Sequence, residues 1–337
     1  MADARACTGP GLQLPELPLN LVLLVLEQLP ASCQAKLVSK AAYRVFQDVQ
    51  LVPAVCPDLP LWVLQQMFQT AAHNSSSTSK VLASNLLCCR AAAGDLAGVQ
   101  WLSKQGVPWA AATAAAAAGA GQLRVLQFLQ AQGCCIDVGT ANAAARTGQL
   151  PVLRWMRQHW LQGQLEPGHF AASCCQVAAS AGQLEVLQFL LLEAGCRWPT
   201  WIGCETAAAA GQLHVLQWLR SLDVPAHWSP AVCAAAAAGG HTHVLAWLRE
   251  QGCPWDDDAT VEAAGAGHLQ TLQWLRAQQP PAPWDASVCL AAAVGGHLET
   301  LTWLWAVGAP WCAGTAAAAL NSGKGEVQAW VRATRAP

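Results

Sequence analysis

The chain has 337 residues, 54% of them hydrophobic and only 11% charged, with a formal net charge of −2. That length holds one small domain plus an array, or two or three ordinary domains, and so few charges mean that small apolar side chains tile internal contacts. The 18 Lys and Arg are scattered rather than striped, so no row of phosphates can be neutralised and nucleic acid is not expected as a partner. No long apolar run escapes Gly, Pro or charge, so no membrane span or membrane partner is expected either. The 15 cysteines contain no C-x-x-C pair and lie among alanines, which points to a reducing, cytoplasmic setting, with the nucleus as an alternative.

Residues 1–13 carry no periodic pattern and are expected to be disordered. From Leu17-Pro18 a helix is predicted in which Leu21, Leu24, Val25 and Leu29 share a face; Pro30 ends it. Val38, Ala42, Val45, Phe46 and Val49 share a face of another helix. The string L-P-x-x-L-x-x-x-V-L-x-x-L at 17–29, followed by Val38-Ser39-Lys40, Tyr43 and Phe46, resembles the F-box. That resemblance implies an F-box-like segment at 14–52 in which Leu17, Pro18, Leu21 and Val25 contact a Skp-type adaptor of a cullin ubiquitin ligase. A plainer reading makes the same helices a cap over the first repeat, because terminal units of an array need one. Residues 53–82 are expected to form a connecting helix and then a Ser-rich linker at Asn74 to Ser79.

The rest of the chain repeats one phrase. GDLAGVQWL (94–102), GQLRVLQFL (121–129), GQLPVLRWM (148–156), GQLEVLQFL (182–190), GQLHVLQWL (211–219), GHTHVLAWL (240–248), GHLQTLQWL (267–275) and GHLETLTWL (296–304) are followed by a degraded copy, GEVQAWV, at 325–331. Leu213, Leu216 and Leu219 fall on one helical face with Val215 and Trp218 beside them, while Gln212, His214 and Gln217 point away. Upstream of each glycine a second helix is predicted, with small pairs such as Ala207-Ala208 permitting close approach. The glycine suits a left-handed turn, and Arg220, Arg249 and Arg276 complement the dipole of the helix they close. Pro-Trp breaks follow, as at Pro108-Trp109 and Pro254-Trp255. Helix pairs this short cannot bury both faces alone, so neighbours must stack.

The phrase A-A-x-x-G-H-L-E-V-[VL]-x-x-L resembles the ankyrin repeat over about residues 83–333. The resemblance implies an all-α fold, an ankyrin-like helix-pair solenoid of nine units at 83–337 with a small N-terminal helical domain, and recognition of protein partners. Here the spacing of 27 to 29 residues is shorter than the roughly 33 of that family, and Cys175, Cys204, Cys233 and Cys289 stand where its first-helix leucine would be. The expected function is a substrate receptor of a cullin-type ligase, monomeric and non-enzymatic, holding a protein target on the repeats; the alternative is a scaffold with no ubiquitin link.

The helix tryptophans, Trp101, Trp155, Trp218, Trp247, Trp274 and Trp303, are expected to be buried packing residues, and the loop tryptophans to staple adjacent units. His241, His268 and His297 recur one unit apart, but stacked helices about 8–10 Å apart cannot share an ion at about 2 Å, so no metal is expected. Asp256-Asp257-Asp258 reads as a helix cap. No cofactor motif and no nucleophile–base arrangement is evident. Between Gly148 and Gly182 the spacing grows to 34 residues, and the extra residues within Trp160 to Phe170 are expected to loop out as a partner-binding segment, with Gln162, Glu166, His169 and Phe170 as contacts.

Overall fold

The computed structural model describes residues 77–159, 167–196, 200–222 and 228–334, and every regular element among them is helical. The chain falls into two compact units, residues 1–140 and 141–337. In the first, α1 (Ser77–Ala93) pairs with α2 (Leu96–Lys104) and α3 (Ala111–Gly119) with α4 (Leu123–Ala131). The next helix, α5 (Val138–Arg146), runs across the division, and α6 (Leu150–His159), α7 (Pro167–Ser180) and α8 (Leu184–Gln188) follow, the last continued by a π-helical turn at Phe189–Glu193. Four more pairs follow in the second unit: α9 (Thr200–Ala209) with α10 (Leu213–Ser221), α11 (Pro230–Ala238) with α12 (Thr242–Glu250), α13 (Asp258–Gly265) with α14 (Leu269–Ala277), and α15 (Ala286–Gly295) with α16 (Leu298–Ala306). The final pair is α17 (Ala313–Asn321) with α18 (Gly325–Thr334). All-helical repetition is thus as the periodicity predicts.

Within each pair the two helices do different work. The first helix is built from alanine, the strongest helix former, which leaves almost no side chain between neighbouring backbones. In the second unit α9 lies directly on α11, α11 on α13, α13 on α15 and α15 on α17. The Ala pairs Ala207-Ala208, Ala236-Ala237, Ala263-Ala264 and Ala292-Ala293 are fully buried there, with Cys204, Cys233 and Cys289 filling the same seam. So close is the approach that a Cβ on Gly239 would sit 2.3 Å from the carbonyl oxygen of Ala209. The second helices supply the larger apolar groups: Val215, Leu216 and Leu219 of α10 are all inaccessible to solvent, and their counterparts in α12 are Val244, Leu245 and Leu248.

A Schellman turn joins the helices of a pair. At Gly211 the φ is +73°, the Gly211 amide donates to Ala208 O at 3.1 Å, and the Gln212 amide reaches Ala207 O at 2.8 Å. The same geometry closes the second helix: with Gly252 at φ +76°, its amide donates to Arg249 O at 3.0 Å and that of Cys253 to Leu248 O at 2.9 Å. The residue before the following proline is drawn inward by this second turn at Val107, Cys253 and Ala309, and Ala282 is buried before Pro283 with no glycine turn ahead of it.

Three boundaries differ from the sequence reading. Helix α1 starts at Ser77, inside the stretch read as a linker, so Ser77 and Ser79 belong to its first turn. Helix α7 starts at Pro167, which takes the first helical position that a fixed φ and a missing amide favour; Pro167, Gly168, His169 and Phe170 are therefore helical and not looped out. The last turn glycine is Gly323, at φ +71°, with Gly325 already inside α18; counted from Gly323, Val327 and Val331 fall on the buried positions of every other copy. The segments 14–52 and 160–166 lie outside the described residues.

In the second unit Gly148, Gly182, Gly211, Gly240, Gly267 and Gly296 are also overlain by the next pair. The His241 ring packs on Gly211, so that an added Cβ would fall 2.8 Å from its Cε1, and Nε2 donates to Ala209 O at 3.1 Å. Gly252 has the same left-handed backbone but open space around it. Gly252→Ala should therefore lower stability by about 1–2 kcal/mol, the cost of placing a Cβ in the left-handed region. Gly211→Ala should lower it further, and His241→Ala added to that background should recover most of the difference. Urea unfolding of the four proteins checks this; equal losses at both glycines would show that the overlying ring contributes nothing.

Candidate interaction surface

The side chains that could meet a partner lie along the Pro-Trp loops and the outer face of the second helices. Each described loop tryptophan bridges two pairs. Trp228, between α10 and α11, meets Trp247 of α12 edge to face at 5.6 Å; Trp255 meets Trp274 of α14 at 6.3 Å; Trp284 meets Trp303 of α16 at 6.2 Å. In the first unit Trp109 meets Phe128 in the same manner at 6.1 Å. This is the stapling expected of the loop tryptophans.

Three of these loop indoles, Trp228, Trp255 and Trp284, also carry a cation. The guanidinium of Arg220 lies 5.3 Å from the Trp228 ring centre, that of Arg249 4.0 Å from Trp255, and that of Arg276 3.9 Å from Trp284. Each arginine closes the second helix of the pair just before the loop. Arg249 also donates to Cys253 O at 3.4 Å, and Arg276 donates a short bond to Ala282 O. A repeating triad results: arginine of one pair, loop tryptophan, tryptophan of the next pair. Sequence reasoning gave these arginines a role at the helix dipole; the missed signal was a loop tryptophan six or eight residues after each of them.

The helix tryptophans themselves depart from expectation. Trp155 and Phe189 are buried, but Trp101, Trp218, Trp247, Trp274 and Trp303 are only half-buried. The reason is geometric. Second helices stand further apart than the alanine-packed first helices, and the indoles span that gap at its solvent edge instead of filling a closed core. Their loss should cost less than the about 3–5 kcal/mol of a fully buried tryptophan.

On the turn edge, polar side chains point back along the chain. Gln183 Nε2 donates to Arg146 O at 3.2 Å, Gln212 Nε2 to Ser180 O at 3.2 Å, and His214 Nε2 to Gly182 O at 2.8 Å. His268 and His297 pack on Gly240 and Gly267 as His241 does on Gly211. The recurring histidines are thus spent on the backbone of the preceding turn. Of the Asp run, Asp257 takes the N-cap position of α13 without a side-chain bond, whereas Asp285 caps α15 by accepting from the Ser287 amide at 2.8 Å. Burial pushes the thiols of Cys174 and Cys204 up to about 12 and that of Cys289 to about 11, so they are protonated packing groups at neutral pH.

The adaptor residues Leu17, Pro18, Leu21 and Val25, and the loop residues Gln162 and Glu166, lie outside the described residues; His169 and Phe170 fall in the first turn of α7. Among the described residues no helix is long and apolar enough to cross a membrane.

No family model matches the chain, and no curated protein does. Among solved structures it is similar to the pentatricopeptide repeat protein PPR10 from maize, at 14% identity and a TM-score of 0.34, over 94% of this chain and 53% of that one. The chain therefore spans about half the length of that protein. The expectation that nucleic acid is no partner does not stand on scattered charge: single-stranded RNA can be read by side chains of successive helical repeats without a phosphate-neutralising stripe.

The triad makes a measurable claim. A double-mutant cycle on Arg276→Ala and Trp284→Ala should return a coupling of about 0.5–2 kcal/mol, the span of a cation–π contact from exposed to desolvated settings. Additive losses would mean that the arginine acts on the helix end alone.

Proposed function

We propose that this chain is a non-catalytic binding scaffold of ankyrin-like repeats that captures a protein target, and that its N-terminal segment links the captured protein to a ubiquitin ligase. The observation that carries the scaffold reading is the repeating Arg–Trp–Trp triad, which holds a continuous row of half-buried indoles at fixed spacing along one edge of the second unit. Rigid, partly exposed aromatic groups are the residues on which protein interfaces concentrate their energy. The ligase link is supported by the Leu17-Pro18 and Val38-Ser39-Lys40 strings and by their resemblance to the F-box.

Co-purification separates the two parts of this reading. The full chain should bring down a Skp-type adaptor, and Leu17→Ala with Pro18→Ala should abolish that while leaving the helical circular dichroism signal unchanged. If no adaptor is captured, the N-terminal helices act as a cap and the chain is a scaffold without a ubiquitin link. The segment between α6 and α7, together with the first turn of α7, is the candidate target contact, through Gln162 and Glu166 in the one and His169 and Phe170 in the other. Removing residues 161–166, which stops short of the first turn of α7, should weaken target capture without unfolding the repeats; undiminished capture would move the contact elsewhere.

A further inference from the structure

Two thiols of the second unit touch inside the array. Cys233 lies in the middle of α11 and Cys253 in the loop after α12, and the Cys233 thiol donates to Cys253 Sγ at 3.4 Å. Both residues are fully buried. The seam position of Cys233, seven residues before the turn glycine, holds Ala114 and Ala141 in earlier pairs and Thr260 in the next one. The loop position of Cys253, just before the proline, holds Val107, Ala282 and Ala309 elsewhere. Small groups thus fill both places, and packing alone asks for no sulfur at either.

Cysteine stands at one of the two positions in several pairs: Cys134 shares its pair with Ala114, and Cys289 with Ala309. The combination recurs in α7 and α8, as Cys175 and Cys196. There the second helix holds one residue more, 13 from Gly182 to Gly195 against 12 from Gly240 to Gly252. The π-helical turn at Phe189–Glu193 takes up the extra residue, so Cys196 is out of the register that Cys253 keeps.

Cys253 enters the seam from the surface. Its neighbours Gly252 and Pro254 are exposed. The residue is held inward by its amide, which donates to Leu248 O at 2.9 Å, by Arg249, which donates to its carbonyl at 3.4 Å, and by its own thiol, which donates to Ser229 O at 3.7 Å. In the closed loop the thiol is inert: its bond with Cys233, then burial, hold it well above the ordinary thiol range, so almost no thiolate is present at neutral pH. Reaction is therefore confined to moments when this one loop residue turns outward.

We propose that Cys233 and Cys253 form a redox latch, which hydrogen peroxide closes by oxidising the pair to a disulfide that ties the Trp255 loop to the alanine seam. In the opened loop the Cys253 thiolate attacks a peroxide oxygen, the O–O bond breaks, and the sulfur becomes a sulfenic acid while the departing hydroxide takes up a proton. On reclosure the Cys233 sulfur displaces the sulfenic hydroxyl, which leaves as water with the Cys233 proton. Two thiols and one hydrogen peroxide give one disulfide and two waters, with two electrons passing from sulfur to oxygen. The sulfurs close from 3.4 Å to about 2.05 Å, a shift the loop residue can supply. Arg249 and Trp255 flank Cys253, so the latch fixes one triad of the row. In a reducing setting the dithiol is the resting form and the disulfide a transient response. The latch depends neither on the ligase link nor on the target contact proposed above.

The test uses the full chain, reduced and then treated with hydrogen peroxide until the exposed Cys135 is oxidised. Remaining thiols are then alkylated with iodoacetamide in urea and the chain is digested with trypsin. Arg249 separates Cys233 and Cys253 into different tryptic peptides, which should appear as one cross-linked species two hydrogens lighter than their sum. Dithiothreitol should restore both thiols. Amide hydrogen exchange at Gly252, Cys253 and Trp255 should slow by about ten-fold or more in the oxidised chain. Cys233→Ala, which places there the residue found at Ala114 and Ala141, should keep the helical signal and remove both effects. Alkylation of both thiols after Cys135 has been oxidised would overturn the proposal. So would Cys253 joined to Cys204, which lies near enough to feel its charge, a cross-link that forms only when peroxide is added in urea, or unchanged exchange in the cross-linked chain.

Discussion

Everything in the second unit depends on how closely the first helices approach. Alanine and cysteine, with glycine at Gly239 and Gly295, leave so little between neighbouring backbones that an added Cβ would fall 2.3 Å and 2.4 Å from carbonyl oxygens of the preceding pair. At that separation the second helices, attached by turns of two or three residues, cannot close on each other, and a gap opens on their side of every pair. Trp247, Trp274 and Trp303 with their loop partners are the size of that gap. The tryptophan content is therefore the counterpart of the alanine content: one column of side chains is small because the backbones touch, and the other is large because they do not.

The constraint also explains why polar side chains gather on the turn edge. A turn between two tightly stacked helices leaves carbonyls at the helix end that need donors, and water has little access on the side facing the next pair. Gln183, Gln212, His214 and His241 are long enough to reach them from the following pair. Glutamine and histidine alternate at that position without consequence because each offers a nitrogen donor at about the same reach. Lys324, the outlier, lays its aliphatic stem over Gly296 instead.

Much of this fold was legible beforehand. The period, the helix pairs, the turn glycines and the staple role of the loop tryptophans all follow from side-chain spacing. What escaped was whatever depends on the distance between pairs and not on periodicity within one. Burial of Trp218 and Trp274 was overestimated because a helical face pattern shows which residues point inward but not how far away the next helix stands. The stacking of Arg249 on Trp255 was hidden because a terminal arginine already had a local explanation. In the last copy Gly325 was taken for the turn because it directly precedes the recognisable string; only the positive φ of Gly323 sets the register. The candidate contacts Gln162 and Glu166 were placed by the length of an insertion alone, which says where a chain must bulge and nothing of what it touches. His169 and Phe170 were placed in the same bulge, but Pro167 opens α7 and takes them into its first turn.

The turn ladder has a direction. The side chain that covers such a turn sits in the pair after it, so Gly211 waits for His241 and Gly240 for His268. During synthesis from the N-terminus, a pair that has left the ribosome keeps its turn carbonyls open to water until the next 27 to 29 residues have followed. The array is thus a zipper with one closing sense. Among the described turns that sense reaches its last tooth at Lys324, which covers Gly296, while Gly323 has open space around it.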